Sequence, residues 1–305
     1  MKLRPMTDVD WLAVADLICV STNYWYQMNR GFPIFANGTE SVRLFCEGYE
    51  ALDPGCCVLA EDENTGMLMG SCFYHPRPTH VSLGIMNVHP NYFGRGVARA
   101  LLTHITDFSE ADNKPVRLVS SAMNLDSFSL YTKAGFVPRQ AFQDMMIDVP
   151  DRGLDFDVVG KERVREAELE DVTAIVALEK FVSGIDRTKD FEYLIQNKAG
   201  IWHTSVYEGL GGRIDGVLVS VNHPGSNMLG PGVMRSDESV LPLILAELNA
   251  NRGRSPVFLV PVDSPVVRAL YAWGARNCEV HFAQIRGSFQ AFNGVVMPTF
   301  MPETG

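Results

Sequence analysis

The chain has no C-x-x-C spacing, no G-x-x-x-x-G-K-[ST] loop, no low-complexity tract and no apolar run approaching the ~18 to 20 residues that cross a bilayer. Without such a run, and with polar Thr7, Asp8 and Asp10 close behind Met1, neither a spanning helix nor a signal-peptide core is expected, and the protein is expected to be cytoplasmic. Six cysteines, Cys19, Cys46, Cys56, Cys57, Cys72 and Cys278, lie scattered, which excludes zinc-ribbon and dithiol spacings and predicts buried reduced thiols and no metal. Basic residues are also few. Against 36 Asp and Glu stand 26 Lys and Arg, a formal charge of -10 that disfavours a nucleic-acid surface, where clustered cations must displace counterions.

What is present suits two cored domains, since 305 residues exceed one ordinary domain and 46% are apolar. "KLRPM" reads as a strand, and Asp8 as the cap of a helix with apolar Trp11, Val14, Ala15, Ile18 and Cys19. "STNYWYQMNRGFPIF" reads as an aromatic loop that interrupts it. "CCVLAED", "MLMGSCFYH" and "VSLGIMNV" read as three antiparallel strands. Beyond Gly94, Val97, Leu101, Ile105 and Phe108 predict one buried helix face. "PVRLVSSAM" follows as a strand, "DSFSLYTKAGF" as a helix ended by Gly135, and "DMMIDVP" as a closing strand.

The order then recurs. "LRPMTDVDWLAVADL" at 3 aligns with "VREAELEDVTAIVAL" at 164, "YHPRP" at 74 with "NHPGS" at 222, and "SLYTKAGF" at 129 with "ALYAWGAR" at 269. This is the pattern of a tandem duplication, residues 1–150 and 151–305, with its seam in the polar stretch "PDRGLDFDVVG" at 150–160.

The most pointed stretch is "VHPNYFGRGVARALL" at 88–102, a glycine turn at the mouth of a helix. A helix begins with about four unpartnered N–H groups at the positive end of its dipole. Gly94 and Gly96 remove Cβ atoms from the path of a phosphate and allow the angles that turn N–H groups inward. A plain linking turn is the alternative. The dinucleotide G-x-G-x-x-G loop is excluded, because the acidic residue it needs about twenty positions on is replaced by Leu118, Val119 and Ser120.

Val88-His89-Pro90, Phe93-Gly94-Arg95-Gly96-Val97-Ala98, and Asn124 followed by Tyr131 and Gly135-Phe136 together resemble the GNAT superfamily of acyl-CoA-dependent N-acyltransferases. The second of these occupies that family's Q/R-x-x-G-x-G/A pyrophosphate signature, with Phe93 where Gln or Arg is usual. The resemblance implies an α+β fold of two tandem GNAT-like domains, each a mixed, mostly antiparallel twisted sheet flanked by helices. It implies an N-terminal half that binds acetyl-CoA and acetylates an amine, and a degenerate C-terminal half whose helix start, "MRSDESVLPLILAEL", lacks the glycine turn.

By the same resemblance, strand 81–88 splays from strand 116–122, and the pantetheine arm pairs with backbone near Met86 and Val88. Asn124 and Ser127 contact the arm or the adenylate end, or only cap a helix. Tyr131 donates the proton to the departing sulfur, or only packs; Tyr271 is its packing counterpart. For a general base the candidates are a water on Asn87, His89, or Glu47 and Glu50, each with an ordinary structural alternative. Tyr24, Trp25, Tyr26, Phe32 and Phe35 either stack on an acceptor or pack as core or lid. The partners implied are acetyl-CoA and a small amine, with no nucleic acid or membrane; a non-catalytic acyl-CoA-binding module is the alternative, and the oligomeric state stays open.

Overall fold

The computed structural model describes residues 1–301; the last four, 302–305, lie outside the described residues. The chain forms two compact units, Met1–Pro76 with His80–Val116, and Arg77–Thr79 with the chain from Arg117 onward.

The first unit begins with β1 (Lys2–Pro5), α1 (Trp11–Arg30) and α2 (Thr39–Leu52), followed by β2 (Cys57–Glu61), β3 (Leu68–Pro76), β4 (Val81–Val88) and α3 (Val97–Ala111). Its strands run β1-β2-β3-β4, every neighbouring pair antiparallel. The helices bury Val14, Ile18, Leu101 and Ile105, and the strands Leu59 and Phe73. Two expectations need correcting. The segment read as an aromatic loop is helical through Arg30, because no breaker occurs before Gly31, which closes α1 at φ 80°. Phe108 is 39% exposed at the edge of the stripe, its ring 5.1 Å from Tyr74, and the buried face of α3 widens on the other side through Leu102, Thr106 and Ser109.

The second unit continues with β5 (Val116–Ser121), α4 (Leu125–Lys133), β6 (Val137–Met146), β7 (Val164–Glu166), α5 (Val172–Ser183), α6 (Thr188–Gln196), β8 (Trp202–Glu208), β9 (Ile214–His223) and β10 (Ser226–Met234). α7 (Val240–Ala250), β11 (Val257–Pro261), α8 (Val266–Ala272), β12 (Arg276–Arg286) and β13 (Val295–Met297) complete it. Here the strand order is β5-β12-β6-β11-β10-β9-β8-β7, with β13 on β10. Only β10 and β11 pair in parallel among the registers described. The core gathers Leu218, Leu229, Leu243, Leu248, Phe258 and Leu270.

The duplication is visible atom by atom. The first helix of each repeat is entered through a capping box, Thr7 with Asp10 and Glu168 with Asp171, so the cap is Thr7 and not Asp8. Arg4 holds Asp10 with two bonds of 2.7 Å and Glu61 with a third; Arg165 holds Asp171 at 2.7 and 2.8 Å and Glu208 at 2.6 Å. The repeat seam is not the boundary of packing, however. β6, from before the seam, pairs antiparallel with β11 on one edge and β12 on the other, both from after it.

All six cysteines are free; Cys56 and Cys278 are half-buried and the other four buried. No helix among the described residues is long and apolar enough to cross a membrane.

Two tests follow from this packing. A fragment ending at residue 150 strips both edges of β6 and exposes Phe142 and Met145, which are fully buried. It is expected to aggregate on size-exclusion chromatography, and a folded monomeric fragment would contradict the pairing. The second test uses Asp10, whose carboxyl Arg4 pulls down to about 2 from 3.8. Because the folded pKa is the lower one, the ion pair stabilises fully above pH ~4 and its contribution fades as pH falls through about 2. Asp10→Asn is therefore expected to cost ~1–2 kcal/mol at pH 7 and nearly nothing at pH 2, read by thermal melts at both pH values.

Candidate active site

β4 is irregular where a ligand-pairing strand was expected. Its register on β3 slips between Met86, opposite Cys72, and Leu83, opposite Tyr74, so one extra residue bulges at Gly84–Ile85. A Cβ on Gly84 would sit 2.9 Å from the Phe73 carbonyl oxygen, so the close strand approach requires glycine there. The bulge went unread in the sequence, although a lone glycine inside an apolar strand is its usual sign. Met86 and Val88 follow it, both half-buried.

Past β4 the chain makes a single 3-10 turn, Pro90–Tyr92, in which His89 Nδ1 accepts from the Asn91 N–H at 3.2 Å. The ordinary structural alternative for His89, a turn cap, thus describes its Nδ1. The glycine turn comes next, with Gly94 at φ 74° and Gly96 at φ 81°, both left-handed and exposed. A Cβ on either would meet open space within the protein, so it is the backbone angle and not crowding that demands glycine. The N–H groups of Gly94, Gly96, Val97 and Ala98 have no hydrogen-bond partner among the described residues. Val97 is buried and anchors the helix, while Phe93 is 50% exposed with its ring 6.0 Å from Tyr24. The Arg95 guanidinium lies 5.3 Å from the Tyr92 ring. What results is an open, positively polarised helix mouth lined by backbone donors.

The matching helix of the second repeat differs in kind. α7 is entered through Asp237–Ser239 with no left-handed glycine, and Asp237 and Glu238 put carboxylates where the first repeat has bare N–H groups.

Asn124 caps α4, its Oδ1 accepting from the Ser127 N–H at 3.1 Å, so the helix-cap alternative describes its oxygen. Tyr131 is 6% exposed, with its ring 5.8 Å from Phe136. Tyr271 does not pack as expected: it is 47% exposed, and its hydroxyl donates to Gln143 Oε1 at 2.7 Å.

Of the base candidates, Glu47 is exposed and paired with Arg43, and Glu50 accepts from the Gly55 N–H at 2.9 Å. Asn87 donates to Ser21 Oγ at 2.8 Å and Thr22 Oγ1 at 3.1 Å, while its buried Oδ1 has no partner among the described residues and is open to a water. Of the aromatic group, Phe35 packs edge-on against Phe45, Trp25 against Tyr26, and Tyr24 and Phe32 stay exposed.

One polar cluster was missed in the sequence. Asp144, Glu279 and His281 bring one ligand atom each within 4.8 Å of one another, all buried. His281 Nδ1 lies 2.8 Å from Asp144 Oδ1, and Ser121 Oγ donates to Glu279. These residues are more than 130 positions apart in part, and only the pairing of β6 with β12 joins them.

With this geometry in hand, comparison with known proteins places the chain. Residues 22–136 match the sequence model of the Acetyltransferase (GNAT) family. The UPF0157 protein YqkA of Bacillus subtilis is 35% identical over 71 residues, a stretch covering 23% of this chain and only 20% of that protein. A Pyrococcus horikoshii protein provisionally called an acetyltransferase superposes with a TM-score of 0.74 at 16% identity, over 99% of this chain and 95% of its own. A tandem GNAT protein from the clavulanic acid biosynthesis pathway gives 0.58 at 13% identity, over 94% and 98%. Residues 22–136 thus match the GNAT family, within the first repeat, and the chain as a whole has the α+β fold of tandem GNAT proteins.

Proposed function

We propose that the protein transfers an acetyl group from acetyl-CoA to the amine of a small-molecule acceptor by direct attack on the thioester, with repeat 1–150 as the catalytic half and repeat 151–305 as its degenerate partner. The observation that carries this reading is the left-handed Gly94–Gly96 turn with its unpartnered N–H groups at the mouth of α3. A pyrophosphate supplies the acceptor oxygens and negative charge those donors lack. In this reading residues Phe93 to Ala98 hold the pyrophosphate and the backbone of Met86 and Val88 pairs with the pantetheine arm. Asn124, through its NH2 group, and Ser127, through its hydroxyl, bond the cofactor, since the Asn124 oxygen is already used as a cap.

The chemistry asks for three things. The neutral amine nitrogen forms a bond to the thioester carbon, the carbon–sulfur bond breaks, and the departing thiolate takes a proton. Tyr131 is assigned that last step, because a phenol of ordinary pKa ~10 is protonated at neutral pH and still acidic enough to serve a thiolate. The proton that the nitrogen sheds passes to a water on Asn87 Oδ1. Asp237 and Glu238 at the mouth of α7 support a single cofactor site per chain, as their charge opposes a phosphate.

Gly96→Val forces a β-branched residue to φ 81° and lays a side chain over the donors. CoA affinity is expected to fall at least tenfold in calorimetry, about 1.4 kcal/mol, with the wild type binding one CoA per chain. Unchanged affinity in a folded variant would overturn the assignment. Tyr131→Phe keeps the ring and removes the proton, so CoA affinity should hold within a few-fold while kcat drops ~100-fold in thiol-release assays over a panel of amines. Tyr271→Phe, which loses only a surface bond to Gln143, should leave turnover unaltered. Full turnover in Tyr131→Phe would remove tyrosine from the mechanism, and CoA binding with no thiol release on any amine would favour a non-catalytic acyl-CoA-binding module.

A further inference from the structure

β12 carries Glu279 and His281 two residues apart, hence on one face of the sheet, and the register sets Asp144 of β6 directly opposite Glu279. One side-chain ligand atom from each of the three lies within 4.8 Å of the other two. Asp144 and His281 are 5% exposed and Glu279 6%. None of them serves the proposed chemistry.

An imidazole nitrogen with two carboxylates is a donor set that divalent transition metals take readily. His281 Nδ1 and Asp144 Oδ1 are 2.8 Å apart. That is close to the ~3 Å between neighbouring ligands on an ion bound at ~2.1 Å. The pair already has the spacing of two adjacent coordination positions, and Glu279 supplies the third. Carboxylates directly opposite each other on a sheet repel, and a divalent cation held by both turns that repulsion into attraction.

The ring supplies an independent observation. The hydrogen between Nδ1 and Asp144 occupies the place an ion would take, while His281 Nε2, on a side chain 7% exposed, has no hydrogen-bond partner among the described residues. The neutral ring can therefore carry its proton on Nε2 and turn the Nδ1 lone pair toward a metal. Asp144 Oδ2 is likewise without a hydrogen-bond partner among the described residues and can join Oδ1 in coordination. Behind Glu279 stands a fixed donor. Ser121 Oγ accepts from the Met123 N–H at 3.0 Å and donates its own hydrogen to the Glu279 carboxylate, the kind of outer bond that orients a metal ligand.

We propose that Asp144, Glu279 and His281 bind one divalent transition-metal ion of zinc's preferences, with water completing its coordination. The cysteine spacings that excluded zinc in the sequence do not bear on this set, which holds no thiol and is assembled only across the β6–β12 ladder. The ion would pin β6, from the first repeat, to β12, from the second, and Ser121 would tie in the end of β5. The site is independent of acetyl transfer, and no step of that reaction passes through it.

The test uses the full chain, stripped with EDTA and titrated calorimetrically with Zn²⁺ and, for its absorption spectrum, with Co²⁺. One ion per chain is expected, with a melting temperature higher by a few degrees at saturation and a cobalt spectrum showing d–d bands without thiolate charge transfer. Glu279→Gln keeps the shape and the bond from Ser121, and His281→Gln removes the nitrogen. Each is expected to weaken binding at least tenfold in a chain that stays folded without metal. A chain that takes up neither ion, or undiminished affinity in either folded variant, overturns the proposal. Thiolate charge transfer in the cobalt complex would place the metal on the free cysteines and overturns it too. Should His281→Gln fail to fold, Glu279→Gln and the cobalt spectrum of the unaltered chain decide the matter.

Discussion

A strand carries hydrogen-bonding groups along both edges, and β6 has both filled by strands from the other side of the repeat seam. This one pairing governs the second unit. It joins the end of the first repeat to the core of the second, and it sets Phe142 and Met145 among residues that lie more than a hundred positions further on. It also brings Asp144 beside His281. A duplication that had produced two self-contained domains would have left β6 an open edge.

The repeats keep the same scaffold and differ where charge matters. Arg4 with Asp10 and Glu61, and Arg165 with Asp171 and Glu208, repeat the same three-way ion pair at the entrance of the first helix. At the entrance of the later helix, by contrast, one repeat offers bare N–H groups at Gly94 to Ala98 and the other offers Asp237 and Glu238. A change of sign at a helix N-terminus is enough to separate an anion site from a surface that repels anions.

The sequence by itself determined the parts of this protein that depend on short-range rules. The antiparallel strands β2, β3 and β4 were legible from apolar runs cut by turns, α3 from its stripe, the glycine turn from the need for positive φ, and the duplication from recurring order. Where local rules were read too strictly the structure differs, as at α1, which absorbs Tyr24, Trp25 and Tyr26 because aromatic residues weaken a helix by only a few tenths of a kcal/mol each. Tertiary structure alone decided what lies between distant segments. The Gly84 bulge exists because β3 approaches too closely for a Cβ, and Asp144 meets His281 because β6 lies beside β12. Neither of these has a periodicity or a spacing that a sequence could display, since each is set by contact across the fold and not along the chain.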